Sequence, residues 1–470
     1  MVQPDFITAV RTDLSDWRQW LARVVVLTYA ALAGLAVVGL TWLSQFALSA
    51  FDGLRHWQPL LPLLWTPAWT TGLAWLTLRF APGAAGSGIP QVMAALSPAV
   101  APEHQPLFVS LRLSVAKTLL TAGGLLGGLA IGREGPSVQI AAGVMQHAAR
   151  WLPQRTAINR QGLLVAGGAA GIAAAFNAPL AGVMFAIEEL TRKIEQRNSG
   201  LLIAAIVLSG LVAVSVFGNA TYFGVIRVPK LGLDFVLPGL TVIAGCGLLG
   251  GVFSRLLHAS VVHGPDRLGR WRHVYPLRFA AGCGLAIAVI GVVSGGLTFG
   301  SGYDYTRRLI EGQSDMPFLY VTLRIVATWL AVWSGVPGGI FAPSLAIGAG
   351  VGNDIAQLTH LGPAAAPLIA LGMTAFLAAV TQAPITAFII VMEMVDGHAM
   401  VLSLMAAALG ASLISRWISA PLYSTLALAQ LARLPLPAAS AGSLPVGTAA
   451  VPAAAVPEGE SGVPGSSARP

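Results

Sequence analysis

Charged side chains make up only 10% of this 470-residue chain, where a soluble globular domain carries about 25%. That shortage excludes an ordinary water-facing surface. With 55% hydrophobic residues and a mean hydropathy of +0.74, most of the exterior must meet lipid. Cysteine is almost absent: Cys246 and Cys283 both stand in apolar stretches, where free thiols behave as small hydrophobes, so no disulfide is expected. An HExxH helix, a Walker phosphate loop and a GxSxG elbow are all missing. Lys117, the only lysine followed by Ser or Thr, lacks the preceding glycine of a phosphate loop. The histidines are scattered without metal-ligand spacing, so neither a metal nor a cofactor is expected. The one enzymatic reading left is an intramembrane enzyme whose nucleophile and base meet only in the fold. A cleavable signal is lacking too, because residues 1–20 mix Asp5, Asp13 and Asp16 with Arg11 and Arg18. The apolar run behind them is too long for a signal core, and the segment reads as a cytoplasmic amphipathic lead-in helix.

What the chain has in abundance is apolar length. Runs at about residues 24–51, 107–131, 161–190, 200–218, 235–257, 279–298, 318–350, 365–395 and 399–414 meet the requirement of about 20 residues per bilayer span. Several exceed one span and contain Gly or Pro, which points to tilted or re-entrant helix pairs. The fold expected is therefore an all-α, polytopic membrane domain over residues 21–432. From residue 433 the chain turns to Pro, Ala, Gly and Ser, a composition that buries no core and reads as a disordered tail. The net charge of +8 is carried largely by short loops: Arg150, Arg155 and Arg160; Arg192, Lys193 and Arg197; Arg267, Arg270 and Arg272. Such clusters mark cytoplasmic loops by the positive-inside bias, and no aromatic-interleaved basic patch suggests a nucleic-acid partner.

Two motifs occur twice. Gly132-Arg133-Glu134-Gly135-Pro136-Ser137 is echoed by Gly339-Ile340-Phe341-Ala342-Pro343-Ser344, with the prolines 207 residues apart. Ala178-Pro179, with Glu188 nine residues on, is echoed by Ala383-Pro384, with Glu393 nine residues on, at an offset of 205. Two matches at nearly one offset indicate an internal duplication, with halves of about 21–220 and 221–432. Gly/Pro-interrupted apolar segments at corresponding positions of two halves are the sequence pointer to a transport site at broken helices.

The breaks at Gly86-Ser87-Gly88-Ile89-Pro90, Gly132–Pro136 and Gly338–Pro343 each precede a helix-compatible run. Proline near the first helical position costs nothing there, since its missing N–H would be unpaired anyway. The free N–H groups and the helix dipole make each such start an anion site. Three of them converging would bind a small anion without a buried full cation that would hold it too tightly. Gly86, Gly132, Arg133 and Gly135 belong to these breaks and are candidate anion-lining positions.

With those residues in view, Gly86–Pro90, Gly132–Gln139, Phe176–Glu189, Gly338–Gly348 and Pro421–Ser424 resemble, in order, the signature segments of the CLC chloride channel and transporter family. The resemblance covers residues 20–430. It implies two inverted repeats and a homodimer with one anion pathway per subunit, in a compact, prokaryote-like member of a bacterial inner membrane with a cytoplasmic N-terminus. It further implies that the hydroxyls of Ser87 and Tyr423 and the amides of Ile340 and Phe341 face the transported chloride. By the same resemblance Glu134 is the gating glutamate and Glu189 the acid that passes protons to the cytoplasmic side. Serine at position 87 goes with chloride in this family, proline with nitrate and methionine with fluoride.

The duplication gives a separate argument about the acids. Glu188 and Glu393 are repeat mates, so both are expected to do structural work, such as bonding free helix-terminal N–H groups. Glu134 and Glu189 have Phe341 and Met394 as mates. An acid present in one half only, at a cost of roughly 2.5–3.5 kcal/mol in an apolar span, is a functional candidate. The alternative for Glu189 is a salt bridge to Arg192 at i+3. For Glu134 it is a pairing with Arg133, which i,i+1 geometry disfavours. Lys117 stands in an apolar run without an evident partner. Exchange of chloride for protons is the function expected, with a passive chloride channel as the alternative that an acid at position 189 disfavours.

Overall fold

The computed structural model describes residues 17–153, 158–191, 199–218, 221–226, 232–261, 267–313, 319–361 and 365–432. Residues 1–16, the tail 433–470, and Arg155, Arg192, Lys193 and Arg197 of the basic loops lie outside the described residues. The architecture is all-α. The first half runs α1 (Trp17–Trp57), α2 (Pro62–Phe80), α3 (Ile89–Leu96), α4 (Leu111–Leu126), α5 (Glu134–His147), α6 (Arg160–Phe176), α7 (Pro179–Phe185) and α8 (Ser199–Phe217). The second half runs α9 (Val236–Val261), α10 (Arg267–Val274), α11 (Pro276–Val293), α12 (Tyr303–Ile310), α13 (Tyr320–Trp333), α14 (Phe341–Leu358), α15 (Ala365–Thr381), α16 (Pro384–Met394) and α17 (Val401–Arg416), and α18 (Leu422–Leu431) follows. Apart from the short α10, the second half repeats the first element for element. The eight-residue α3 corresponds to the eight-residue α12, and the seventeen-residue α6 to the seventeen-residue α15.

The long apolar runs divide as their Gly and Pro content requires. Residues 161–190 contain α6 and α7, and 365–395 contain α15 and α16. In both places the first helix ends on a left-handed residue, Asn177 at φ 56° and Gln382 at φ 58°. Ala-Pro then starts the next helix, its proline at a first-turn position where no N–H is needed. Ser110 caps α4 by accepting from Leu113 N–H, and Asn159 caps α6 by accepting from Gly162 N–H. Among the described residues, six helical segments are long and apolar enough to cross a bilayer, the longest being the 41-residue α1.

The core sits where α5 and α6 pack together and where α14 and α15 pack together. Every residue of α6 from Leu163 to Phe176 is buried, as is nearly all of α15. A helix apolar all round belongs in an interior. The Gly-Gly-Ala-Ala-Gly stretch 167–171 lets the α5 backbone approach closely, as small residues do between membrane helices. The outer helices instead expose large apolar side chains, among them Trp42, Phe46, Leu402 and Leu413, to the lipid phase.

Candidate functional site

Gly132 and Gly339, repeat mates, donate N–H bonds to each other's carbonyl oxygen, both at 2.7 Å, in an antiparallel bridge. Mates that bond reciprocally and antiparallel lie across a local two-fold axis, as inverted halves require. The bridge ties the starts of α5 and α14 together. Gly338 N–H donates to Gly86 O at 3.1 Å, drawing in the loop before α3. The three breaks picked out by sequence thus meet in one place. Gly135 is obligatory there, because a Cβ on it would strike Ser87 Oγ, and a Cβ on Gly132 would strike Glu134 Oε2.

A fourth helix start joins them. α18 packs on α3 and brings Tyr423, fully buried, beside Ser87. Its ring stacks on Phe341 at 5.9 Å between centroids and 20° between planes. Ser87 Oγ and Tyr423 Oη are buried and near enough to feel each other, yet neither atom finds hydrogen-bonding geometry with any partner among the described residues. Two orphaned hydroxyls side by side are costly unless a ligand uses them. The amides of Ile340 and Phe341 open α14 and have no acceptor within the helix, as for any helix start.

Glu134 is the first residue of α5 and is fully buried. Its Oε2 accepts from Ala342 N–H at 3.4 Å at the start of α14, while Oε1 has no partner among the described residues. The carboxyl group therefore lies between two helix N-termini, the starts of α5 and α14. Arg133 is not its partner. The guanidinium turns to Tyr222, with Nη2 donating to the phenol oxygen at 3.1 Å, and to Thr41 O at 3.5 Å. There it forms one wall of a cavity of about 400 Å³, shared with Ser44, Asp52, Ser301 and Asp304. The Arg133 guanidinium is thus engaged by Tyr222 and Thr41, and the Gly86 carbonyl accepts from Gly338 N–H and from Lys117.

The paired acids bind across the axis. Glu393 accepts from Leu180 N–H at 3.2 Å and Ala181 N–H at 2.7 Å, at the start of α7. Glu188 accepts from Ile385 N–H at 3.1 Å and Thr386 N–H at 2.6 Å, at the start of α16. Each half caps the helix of the other, the helix-terminal bonding expected of repeat mates. Glu189 is placed differently. It is half-buried on a π-helical turn, Ala186–Thr191, that extends α7; such turns are frequent at functional positions. Tyr423 lies within electrostatic range of both Glu189 and Glu134. Arg192, the alternative partner for Glu189, lies outside the described residues.

Lys117 is not partnerless. It is fully buried and donates to the carbonyls of Ala84 at 2.7 Å and Gly86 at 2.5 Å. Sequence reasoning also passed over Gly300-Ser301-Gly302, a copy of Gly86-Ser87-Gly88 at an offset of 214. The signal was present, but the offset drifts from 205 to 214 with loop length, so a search at one spacing misses it.

Over residues 68–416 the chain matches the family described as voltage gated chloride channel; it belongs to that family, the CLC proteins. It is an integral, multi-pass membrane protein. Among solved structures it is similar to a slow cyanobacterial Cl−/H+ antiporter, at 27% identity and a TM-score of 0.73, over 88% of this chain and 98% of that one. A CLC-type fluoride/proton antiporter matches at 21% identity and 0.71, over 88% and 99%. A eukaryotic CLC transporter matches at 22% and 0.69, over 87% and 74%. The last two, below 25% identity, speak for the fold alone.

Proposed function

We propose that this CLC protein is a chloride/proton exchanger rather than a passive channel. The observation that carries the reading is that Glu134 and Glu189, acids without an acidic repeat mate, both lie within electrostatic range of Tyr423, whose hydroxyl, like that of Ser87, has no hydrogen-bond partner among the described residues. Chloride takes a hydrogen bond from each hydroxyl and from the free amides of Ile340 and Phe341. Deprotonated Glu134, held at the starts of α5 and α14, competes with the anion for the adjoining position. Protonation removes its charge and releases it. The proton then passes towards Glu189 over water and leaves on the cytoplasmic side. Similarity to a cyanobacterial Cl−/H+ antiporter supports this reading. The same reading takes the protein as a homodimer with one pathway per subunit, in a bacterial inner membrane with its N-terminus cytoplasmic. Liposomes with an imposed chloride gradient test it, with chloride flux and internal pH followed together. Chloride movement that drives protons uphill supports exchange; chloride movement without any pH change makes the protein a channel.

A further inference from the structure

Four consecutive carbonyl oxygens precede Ser87, and each is held by a donor from elsewhere. Gln139 Nε2 donates to Gly83 O at 2.9 Å. Lys117 Nζ donates to Ala84 O and Gly86 O, and Gln91 Nε2 donates to Ala85 O. Gln91 also turns its Oε1 to accept from Gly88 N–H at 3.0 Å. The loop thereby has its negative ends tied down on one side, and the Ser87 hydroxyl is left as its free polar group.

Lys117 holds two of the four and does so from full burial on α4. Its repeat mate, 207 residues on, is Arg324 of α13, which is also fully buried. Arg324 Nη1 donates to Thr298 O at 2.7 Å and Nη2 to Gly300 O at 2.8 Å. Thr298 and Gly300 are the mates of Ala84 and Gly86, at an offset of 214. Each half thus sends a long basic side chain to a pair of carbonyls two residues apart in the loop ahead of its short helix, and Arg324 also reaches Phe299 O between them at 3.4 Å. Only in the first half does that loop end at the unpartnered hydroxyl beside Tyr423.

We propose that Lys117 is a positioning residue for anion selection: it turns the carbonyls of the Pro82–Gly86 loop out of the anion's path, so that the Ser87 hydroxyl and no carbonyl oxygen meets the ion. This rests on the reading that Ser87 contacts the transported anion. A carbonyl oxygen in that path would repel an anion, and chloride, the more strongly hydrated, needs the hydroxyl more than nitrate does.

The test uses full-length protein, with chloride and nitrate binding measured by calorimetry in detergent and a chloride/nitrate competition flux in liposomes. Lys117→Met is expected to weaken chloride binding about tenfold, with a smaller loss for nitrate. Lys117→Arg, the residue the other half uses, stays within about twofold of wild type, and Arg324→Lys lowers the melting temperature with chloride affinity equally unchanged. Should Lys117→Met fail to fold, Lys117→Gln, which reaches only one carbonyl, carries the same expectation of selective chloride loss. Wild-type chloride affinity in the folded variant overturns the proposal. So does an equal loss for both anions, which would mark a distant charge effect, or an equal loss in Arg324→Lys, which would mark general loosening. Ser87→Ala separates the premise: if it too binds chloride normally, the Ser87 contact itself is wrong. If it weakens while Lys117→Met does not, only the positioning role falls.

Discussion

The two halves of this molecule share a scaffold and differ in their chemistry. Gly132 and Gly339 bridge the axis, and Glu188 and Glu393 cap each other's helices. Asn177 and Gln382 end equivalent helices in the same left-handed conformation, and Lys117 and Arg324 tie down equivalent loops. Against these stand Glu134 opposite Phe341 and Glu189 opposite Met394. Even where the residue is kept, its state differs. Ser87 Oγ has no partner among the described residues, whereas Ser301 Oγ accepts from Tyr303 N–H at 3.4 Å. Asp304 then places a carboxylate in the first turn of α12. A duplicated side chain serves the backbone that both halves need; in the proposed mechanism the acids Glu134 and Glu189, present in one half only, carry the proton.

The strongest way to break that comparison is through Glu134 and Glu189, the acids without an acidic repeat mate. Glu134→Gln is expected to reduce proton movement to background while chloride flux persists, because an amide neither carries a proton nor competes as an anion. Glu189→Gln is expected to do the same. Coupled flux in either variant, measured as internal pH during chloride-driven exchange, removes that residue from the mechanism.

The paired acids should behave in the opposite way. Glu188→Gln and Glu393→Gln each remove a carboxylate that accepts two helix-start N–H groups, and a charge-assisted bond is worth roughly 1.5–3 kcal/mol. Both variants are expected to melt earlier than wild type, by similar amounts, and to keep chloride–proton coupling in whatever fraction folds. A well-folded, uncoupled Glu188→Gln would make duplication a poor guide to role.

Much of this was readable in the chain because broken membrane helices leave a coarse trace. Gly and Pro inside an apolar run mark the breaks, and an acid in such a run is expensive enough to be noticed. The convergence of the starts of α3, α5 and α14 followed from three similar motifs. What the sequence hid was carried by backbone atoms, which have no letter. The partners of Lys117 are carbonyls 31 and 33 residues away. The π-helical turn at Glu189 and the turn of Arg133 towards Tyr222 depend on packing between distant segments. The short helices α3 and α12, eight residues each, fall below the length at which apolar periodicity identifies a span.

An intermediate effect is expected at the Ser87 hydroxyl. Ser87→Pro removes the donor and keeps a residue compatible with the start of α3. One charge-assisted bond lost should change relative anion preference by about tenfold, raising nitrate transport against chloride. A chloride/nitrate competition flux measures it, and an unchanged ratio in folded protein would move the selectivity to Tyr423 or to the amides of Ile340 and Phe341.

The smallest effect sharpens the comparison most. Ser301 occupies the position of Ser87 in the second copy of the Gly-Ser-Gly loop, and flanking glycines hold similar left-handed angles, φ 77° and 114° at Gly86 and Gly88 against 66° and 85° at Gly300 and Gly302. If local sequence alone made an anion contact, removing either hydroxyl would weaken transport alike. Ser301 Oγ, however, is engaged by Tyr303 N–H, and it lines the Arg133 cavity together with the carboxylates of Asp52 and Asp304. Two acids there disfavour a resident anion, and the next helix start already has its own carboxylate. Ser301→Ala is therefore expected to leave the chloride/nitrate ratio within about twofold of wild type, at most lowering stability by the worth of one long, partly buried bond, about 0.5–1.5 kcal/mol. The same competition flux used for Ser87 reads it. A shift as large as that of Ser87→Pro would mean that both copies of the loop still handle the ion, and that the division between scaffold and chemistry runs through neither half.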